Sequence, residues 1–376
     1  MKIKSKIVQG LLILLLSVSS CTRLADCENC RNDLKSIWSY KLRLPFGMEL
    51  SGGELFIQDN NLSRLVILNS KTGLPKAQLP TSYNEKGDGA VVFYCINKNL
   101  IACEQALDYA KSYLKIYSRT DYKPVDSIFI SLKKDLSASH GIVKLAGKPV
   151  ITDSILLFVL NDGSLNAYNL SKKRFFWRQE LNALPMPNSG IITTDRYVHI
   201  QLPAGAGSEL ITIAKENGKI VWKKHFPGQM QLSIIDNKLL SLDTHGNLVY
   251  ISPNNGEFDS HSFASQEPLY YQLIQNRMIA LTTKNNILIV KDLVSDNVRL
   301  RYRLCAEPVE VTYSEKVNAL FLTDKAQHCL QVNLNNHQTQ CIQQSVDTNE
   351  SQHNFVVKGD SLYINKEGKL HLLILN

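Results

Sequence analysis

Cysteine and tryptophan are scarce in this chain, and recognisable catalytic motifs are absent. Eight Cys in 376 residues are too few for a disulfide scaffold that replaces a hydrophobic core. Charged residues make up 20% and hydrophobic residues 44%, a balance that excludes wholesale disorder and collagen-like structure. Beyond the first twenty residues no stretch approaches transmembrane length. There is no Walker A loop, no Gly-x-Ser-x-Gly, no His-Glu-x-x-His and no EF-hand loop. Neither an adjacent Cys pair nor a Cys-x-x-Cys-His haem motif occurs. The Gly205-Ala206-Gly207 pair reads as a hairpin loop rather than a phosphate cradle.

What is present begins with an address. Lys2, Lys4 and Lys6 precede an apolar run from Leu11 to Leu16, the pattern of a secretory signal peptide. The run ends in Val18-Ser19-Ser20-Cys21, which resembles a bacterial lipobox: an aliphatic residue, two small ones, then the Cys that takes the lipid. Residues 1–20 are thus expected to be removed, and Cys21 to carry two or three acyl chains. At roughly 0.8 kcal/mol per buried methylene these anchor a protein stably. Thr22, where Asp commonly favours inner-membrane retention, points to an outer-membrane location facing the periplasm. Without its signal the chain has 39 basic residues (42 less three Lys) against 34 acidic ones, a net charge of +5. That is too mild to argue for nucleic acid, which the compartment forbids in any case.

The remainder is repetitive. Trp38-Ser39-Tyr40-Lys41-Leu42, Trp177-Arg178-Gln179-Glu180-Leu181 and Trp222-Lys223-Lys224-His225-Phe226 share one pattern, each followed shortly by Pro. Before the last two Trp runs a strand–turn–strand unit, as in Leu210 to Trp222 around Gly218. Equivalent turns fall near Gly73, Asp121, Arg174, Gly218, Gly256, Asn297 and His337. A period near 40 residues built from short alternating strands means four-stranded propeller blades. Counting hairpins predicts an all-β, eight-bladed β-propeller over residues 37–376, with a seven-bladed ring as the alternative because the second unit is irregular. The last strands, Ser361 to Ile364 and Leu370 to Leu375, lack an outer partner, and the segment from Ile37 to Leu44 lacks a blade. Each is expected to complete the other, closing the ring and removing a free sheet edge.

The strand–turn–Gly–strand–Trp unit resembles the PQQ-like repeat of quinoprotein propellers. The best copy places Ala214, Gly218, Lys219 and Trp222 on the repeat's positions. The resemblance implies that Trp38, Trp177 and Trp222 are structural residues packed between blades. The PQQ-dependent dehydrogenases of this fold are longer and carry Cys-Cys, acidic and haem motifs that are missing here, so no cofactor is expected. Size, lipobox and blade number together resemble the outer-membrane barrel-assembly lipoproteins, which are non-enzymatic scaffolds.

Cys95 and Cys103 flank one turn and Cys329 and Cys341 another, so each pair is a candidate hairpin disulfide in an oxidising compartment. Cys27 and Cys30, in a tether spanning 21–36, read as a local disulfide or as simple tether cysteines; Cys305 is left free or pairs with one of them. Arg299, Arg301 and Arg303 alternate with apolar residues on the outermost strand of the sixth blade. They form either a charged edge that discourages pairing between molecules or a docking stripe for an acidic partner or anionic headgroups. Loops Tyr83–Ala90, Glu104–Lys111 and Ser131–Lys148 are candidate binding loops. The nine His show no metal-ligand spacing. The function expected is a membrane-anchored, non-enzymatic scaffold for a protein partner. The alternative is a ligand- or substrate-binding propeller, possibly an enzyme, with a site at the central channel.

Overall fold

A computed structural model describes residues 23–24, 36–41 and 45–375. Within the last span it leaves out 60–62, 82–92, 109–110, 131–144, 153, 186–189, 228–230, 236, 243–246, 263–267, 275–277, 284, 294, 296, 344–345, 347–354 and 367–368.

The strands fall into eight sheets, antiparallel except for one added parallel strand at the edge of blade 6. Blade 1 spans 45–80, blade 2 94–130, blade 3 150–180, blade 4 192–226, blade 5 231–262, blade 6 268–303 and blade 7 308–343. Blade 8 takes three strands from 355–374 and its outer strand, Ser36–Lys41, from the start of the chain. Ser36–Lys41 pairs antiparallel with Lys369–Ile374, and Trp38 lies opposite Leu372. The ring is therefore closed by the two ends of the propeller, as the strand inventory predicts. Blade 2 is a full four-stranded sheet, so the count is eight and not seven.

The inner hairpins form where the sequence is apolar on both faces. Glu54–Asp59 and Ala319–Asp324 are buried at every position. Such strands lie between two neighbouring blades, so neither face meets water. Eight apolar clusters fill the eight seams. One joins Phe56 and Leu65 of blade 1 to Ile101 and Cys103 of blade 2. The seam at the join packs Tyr363 and Leu370 of blade 8 against Met48 and Leu55 of blade 1. Outer strands alternate instead: Arg174–Glu180 and Ile220–Phe226 expose every second residue or more.

A one-residue bulge recurs near the start of the outer strand. It falls at Ile37, Lys76, Val125, Phe176, Val221 and Arg299 in blades 8, 1, 2, 3, 4 and 6. A bulge advances the side-chain alternation by one and sharpens the twist. It turns the next residue (Trp38, Trp177 or Trp222 in three of these blades) toward the neighbouring blade, and leaves the bulged residue outside.

Glu104–Lys111 is not a long loop: Leu100–Asp108 and Lys111–Ser118 continue one ladder as far as Asp108 opposite Lys111. The Arg-bearing strand Val298–Arg303 is not the outermost of its sheet. Arg23–Leu24 pairs with it in parallel, Arg23 with Tyr302 and Leu24 with Arg303. Extended backbone from the tether takes up hydrogen-bonding groups that an edge strand leaves open.

Candidate interaction surface

Several polar side chains lock neighbouring blades together. The indole Nε1 of Trp38 donates to Ser70 O at 3.2 Å, that of Trp177 to Lys215 O at 2.7 Å and that of Trp222 to Pro253 O at 2.9 Å. In each case the ring lies on the turn glycine of the next blade. A Cβ at Gly73, Gly218 or Gly256 would sit 2.5, 2.6 or 2.9 Å from the indole, and all three have positive φ. In blade 6 Tyr302 has a comparable part, its hydroxyl donating to His337 O in the turn of blade 7.

A second lock joins blades 1 and 2. Glu54, buried on blade 1, accepts hydrogen bonds from Lys76 Nζ, from the Tyr122 hydroxyl, and from Arg119 Nη2 and Nε at 2.8 and 3.1 Å. Arg119 also donates to Ser51 O at 2.9 Å and Asn97 O at 2.6 Å, over the ring of Phe56. Burial works against the charge on Glu54, but hydrogen bonds from Lys76, Tyr122 and Arg119 outweigh it and hold its pKa below the ordinary value. These partners occupy both carboxylate oxygens and tie the two blades together, so the cluster acts as a structural clasp.

The proposed hairpin disulfides do not form. In blade 2 Cys95 pairs with Ala102 and Cys103 with Tyr94, so the two thiols lie one register step apart. One step puts them on opposite faces of the sheet: Cys95 in the seam with blade 3, Cys103 in the seam with blade 1. Both are free, and burial pushes the Cys103 thiol up to about 12. In blade 7 a bulge sets Cys329 opposite Gln343 and Leu330 opposite Cys341. Cys329, also free, faces blade 8, whereas Cys341 faces blade 6.

Among the described residues no three His, Cys, Asp or Glu converge as a metal site. His328 pairs with Asp324 at 3.1 Å, His371 lies 3.2 Å from Ser36 Oγ, His337 sits in a turn and His225 on an outer strand. The side chains of His140, His245, His261 and His353 lie outside the described residues.

His199 is fully buried, its Nδ1 2.8 Å from Thr212 Oγ1 and its Nε2 3.3 Å from Thr194 Oγ1. Burial, with a contribution from Lys215, lowers its pKa from 6.5 to about 4. The unfolded chain then binds the proton more readily, so this stability is complete above pH 6.5 and lost as pH falls toward 4. We expect a loss of about 3 kcal/mol across that window. Urea midpoints measured against pH check it: His199→Gln should flatten the slope between pH 6.5 and 4, and an unchanged slope would contradict the assignment.

Of the Arg stripe, Arg299 pairs with Asp292 at 3.1 Å, Arg301 is half-buried and Arg303 is exposed. Leu300 and Tyr302 point into the seam with blade 7. Cys21, the loop Tyr83–Ala90 and positions 131–144 lie outside the described residues.

A different surface was not anticipated. The bulged residues of three consecutive blades are apolar and exposed: Val125 at 41%, Phe176 at 47% and Val221 at 43%. Phe175 beside them is 51% exposed, although it packs edge-on against Tyr168. Lys173 Nζ donates to Val125 O, and Trp177 to Lys215 O, so blades 2, 3 and 4 are joined along this row. Exposed Lys172, Lys173 and Arg174 border it. The sequence signal was an apolar pair directly before the Trp position, Phe175-Phe176 or Ile220-Val221, which breaks strict alternation.

Eight sheets around one axis, joined by eight apolar seams and closed by the first and last strands of the ring, define a closed eight-bladed β-propeller. No protein-family model matches the sequence, and no curated protein matches it. Among solved structures the chain is similar to the C-terminal WD40 domain of Sif2, with 11% identity over 95% of this chain and 100% of that one and a TM-score of 0.63. It is similar to the computationally designed Ika8 protein, with 10% identity over 90% and 98% and a TM-score of 0.62. It is similar also to BamB from Moraxella catarrhalis, with 12% identity over 91% and 100% and a TM-score of 0.57. Identities this low carry the fold and nothing further.

Proposed function

We propose that the protein is a non-enzymatic interaction scaffold, tethered to the bacterial outer membrane through a lipid on Cys21 and docking a protein partner along blades 2 to 4. The observation that carries this reading is the row Val125, Phe175, Phe176 and Val221, exposed on a rigid ring and bordered by Lys172, Lys173 and Arg174. Exposed apolar groups rimmed by charge suit a partner that offers apolar side chains flanked by carboxylates. The lipobox and the resemblance to barrel-assembly lipoproteins support a periplasm-facing partner in outer-membrane assembly.

A photo-crosslinking residue at position 176 tests the docking face. The expected result is an adduct with one membrane-associated protein, reduced at least tenfold by Lys173→Glu and absent when the probe stands at Lys316 between blades 7 and 8. Equal labelling from both positions, or none, would sink the reading. Cys21→Ser is expected to move the protein from the membrane to the soluble fraction; retention at the membrane would remove the tether from the proposal.

A further inference from the structure

We propose that the outer face of blade 6 lies against the membrane, where Arg299 and Arg303 bind the phosphate of anionic lipid headgroups. The inference rests on the lipid tether proposed for Cys21 and gives that tether an orientation. Blade 6 is the blade to which the start of the chain is fixed. The backbone of Arg23–Leu24 pairs in parallel with Tyr302 and Arg303 on its outer strand. Cys21, like Cys27 and Cys30 of the tether, lies outside the described residues, but it stands only two peptide steps before Arg23. Two steps reach at most about 7 Å, whatever their course. An acyl chain on Cys21 therefore leaves the protein beside Val298–Arg303.

The chemistry of that strand suits a headgroup surface better than a protein partner's strand. Arg23–Leu24 already takes up the backbone groups at Tyr302 and Arg303, so this part of the edge offers side chains rather than a free ladder. Leu300 and Tyr302 are buried in the seam, which leaves the arginines outside. Arg303 is exposed and, among the described residues, pairs with no carboxylate. Arg299 is exposed and shares its charge with Asp292 at 3.1 Å; half-buried Arg301 lies between the two. Val298, at the start of the strand, is an exposed apolar side chain. A guanidinium takes a phosphate through two parallel hydrogen bonds, and its stem can lie along apolar surface. Near an anionic bilayer each such charge strengthens binding about fivefold. The geometry also separates this face from the docking row. In a ring of eight, blade 6 stands about 135° from blade 3, so the row on blades 2 to 4 is turned away from the lipid.

Two measurements test this. In the first, the lipidated protein is placed in vesicles of phosphatidylcholine and phosphatidylglycerol in equal parts, with a fluorescent amino acid at Val298 or at Phe176. A lipid carrying a headgroup quencher should quench the probe at 298 about fivefold more than the probe at 176. Equal quenching, or stronger quenching at 176, would overturn the inference.

In the second, the Cys21→Ser chain, which has no lipid acceptor, is sedimented with the same vesicles. Arg299→Gln combined with Arg303→Gln is expected to weaken binding about tenfold. Lys71→Gln combined with Lys98→Gln removes the same charge from exposed turns of blades 1 and 2 and is expected to change binding by less than about twofold. Equal weakening by the two pairs, or equal binding to phosphatidylcholine alone, would overturn the proposal. So would no binding at all, which would leave the arginines to an acidic protein. This arm needs no lipid on Cys21, so a failed tether and a failed headgroup surface give different results.

Discussion

Arg119→Met is expected to cost about 3 kcal/mol of stability, the low end of the range for breaking a buried ion pair. The Arg119 and Glu54 side chains are only 9% and 7% exposed, so little of their interaction is screened by solvent. Methionine keeps most of the volume over Phe56 but removes every donor. Glu54 retains Lys76 and Tyr122, which is why the loss falls short of that for an isolated buried charge. Ser51 O and Asn97 O lose a charged partner at the same time. Denaturant unfolding of Arg119→Met, Glu54→Gln and the double variant would measure the coupling, expected to exceed about 1 kcal/mol. Additive losses would mean that the clasp is not a unit. The carboxylate also sets a pH dependence. Its folded pKa is lowered, so its contribution is present above 4.5 and lost as pH falls through the folded value.

Deleting Ser36–Lys41 is expected to have a larger effect, because it opens the ring. Trp38→Ala alone should cost about 2–3 kcal/mol, at or below the low end for a fully buried Trp since this indole is only partly buried. The deletion removes in addition the ladder with Lys369–Ile374 and one wall of the seam containing Tyr363, Met48 and Leu55. It leaves a bare edge, which templates pairing between molecules. The expected results are a lower denaturation midpoint than that of Trp38→Ala, and self-association on a sizing column. A synthetic peptide covering residues 33–44 should restore the midpoint in proportion to its concentration, since it binds only the folded ring. A deletion protein as stable as the parent would show that the ring does not depend on its join.

Much of this architecture is legible in the chain because propeller blades are local. Each blade is a run of consecutive hairpins, and the signals that define a hairpin lie within a few residues of one another. Gly73, Gly163, Gly218 and Gly256 all have the positive φ that their turns require. Tyr122, Lys173 and His337 adopt it in the corresponding turns of blades 2, 3 and 7, where the period rather than the residue type marks the turn. Even the closing strand could be inferred, from an outer strand missing at one end and a blade missing at the other.

The cysteines mark where local reading stops. Cys95 with Cys103, and Cys329 with Cys341, look symmetrical about their turns. A single register step or bulge decides which face each thiol takes, and no count of intervening residues contains that step. The docking row is of the same kind. That Phe176 and Val221 are exposed follows from a bulge in the outer-strand ladder of their own blades, not from their own hydrophobicity.

The sequence by itself thus determined the propeller architecture, most of its strands and the join, because those depend on hydrogen bonds and turns between residues close along the chain; eight blades rather than seven was decided by the four-stranded sheet of the irregular second blade. Only the tertiary structure decided which side chains meet across a seam, which thiols are free and which apolar residues remain in water. Those outcomes depend on the register and the packing of blades against one another, and a shift of one residue reverses them.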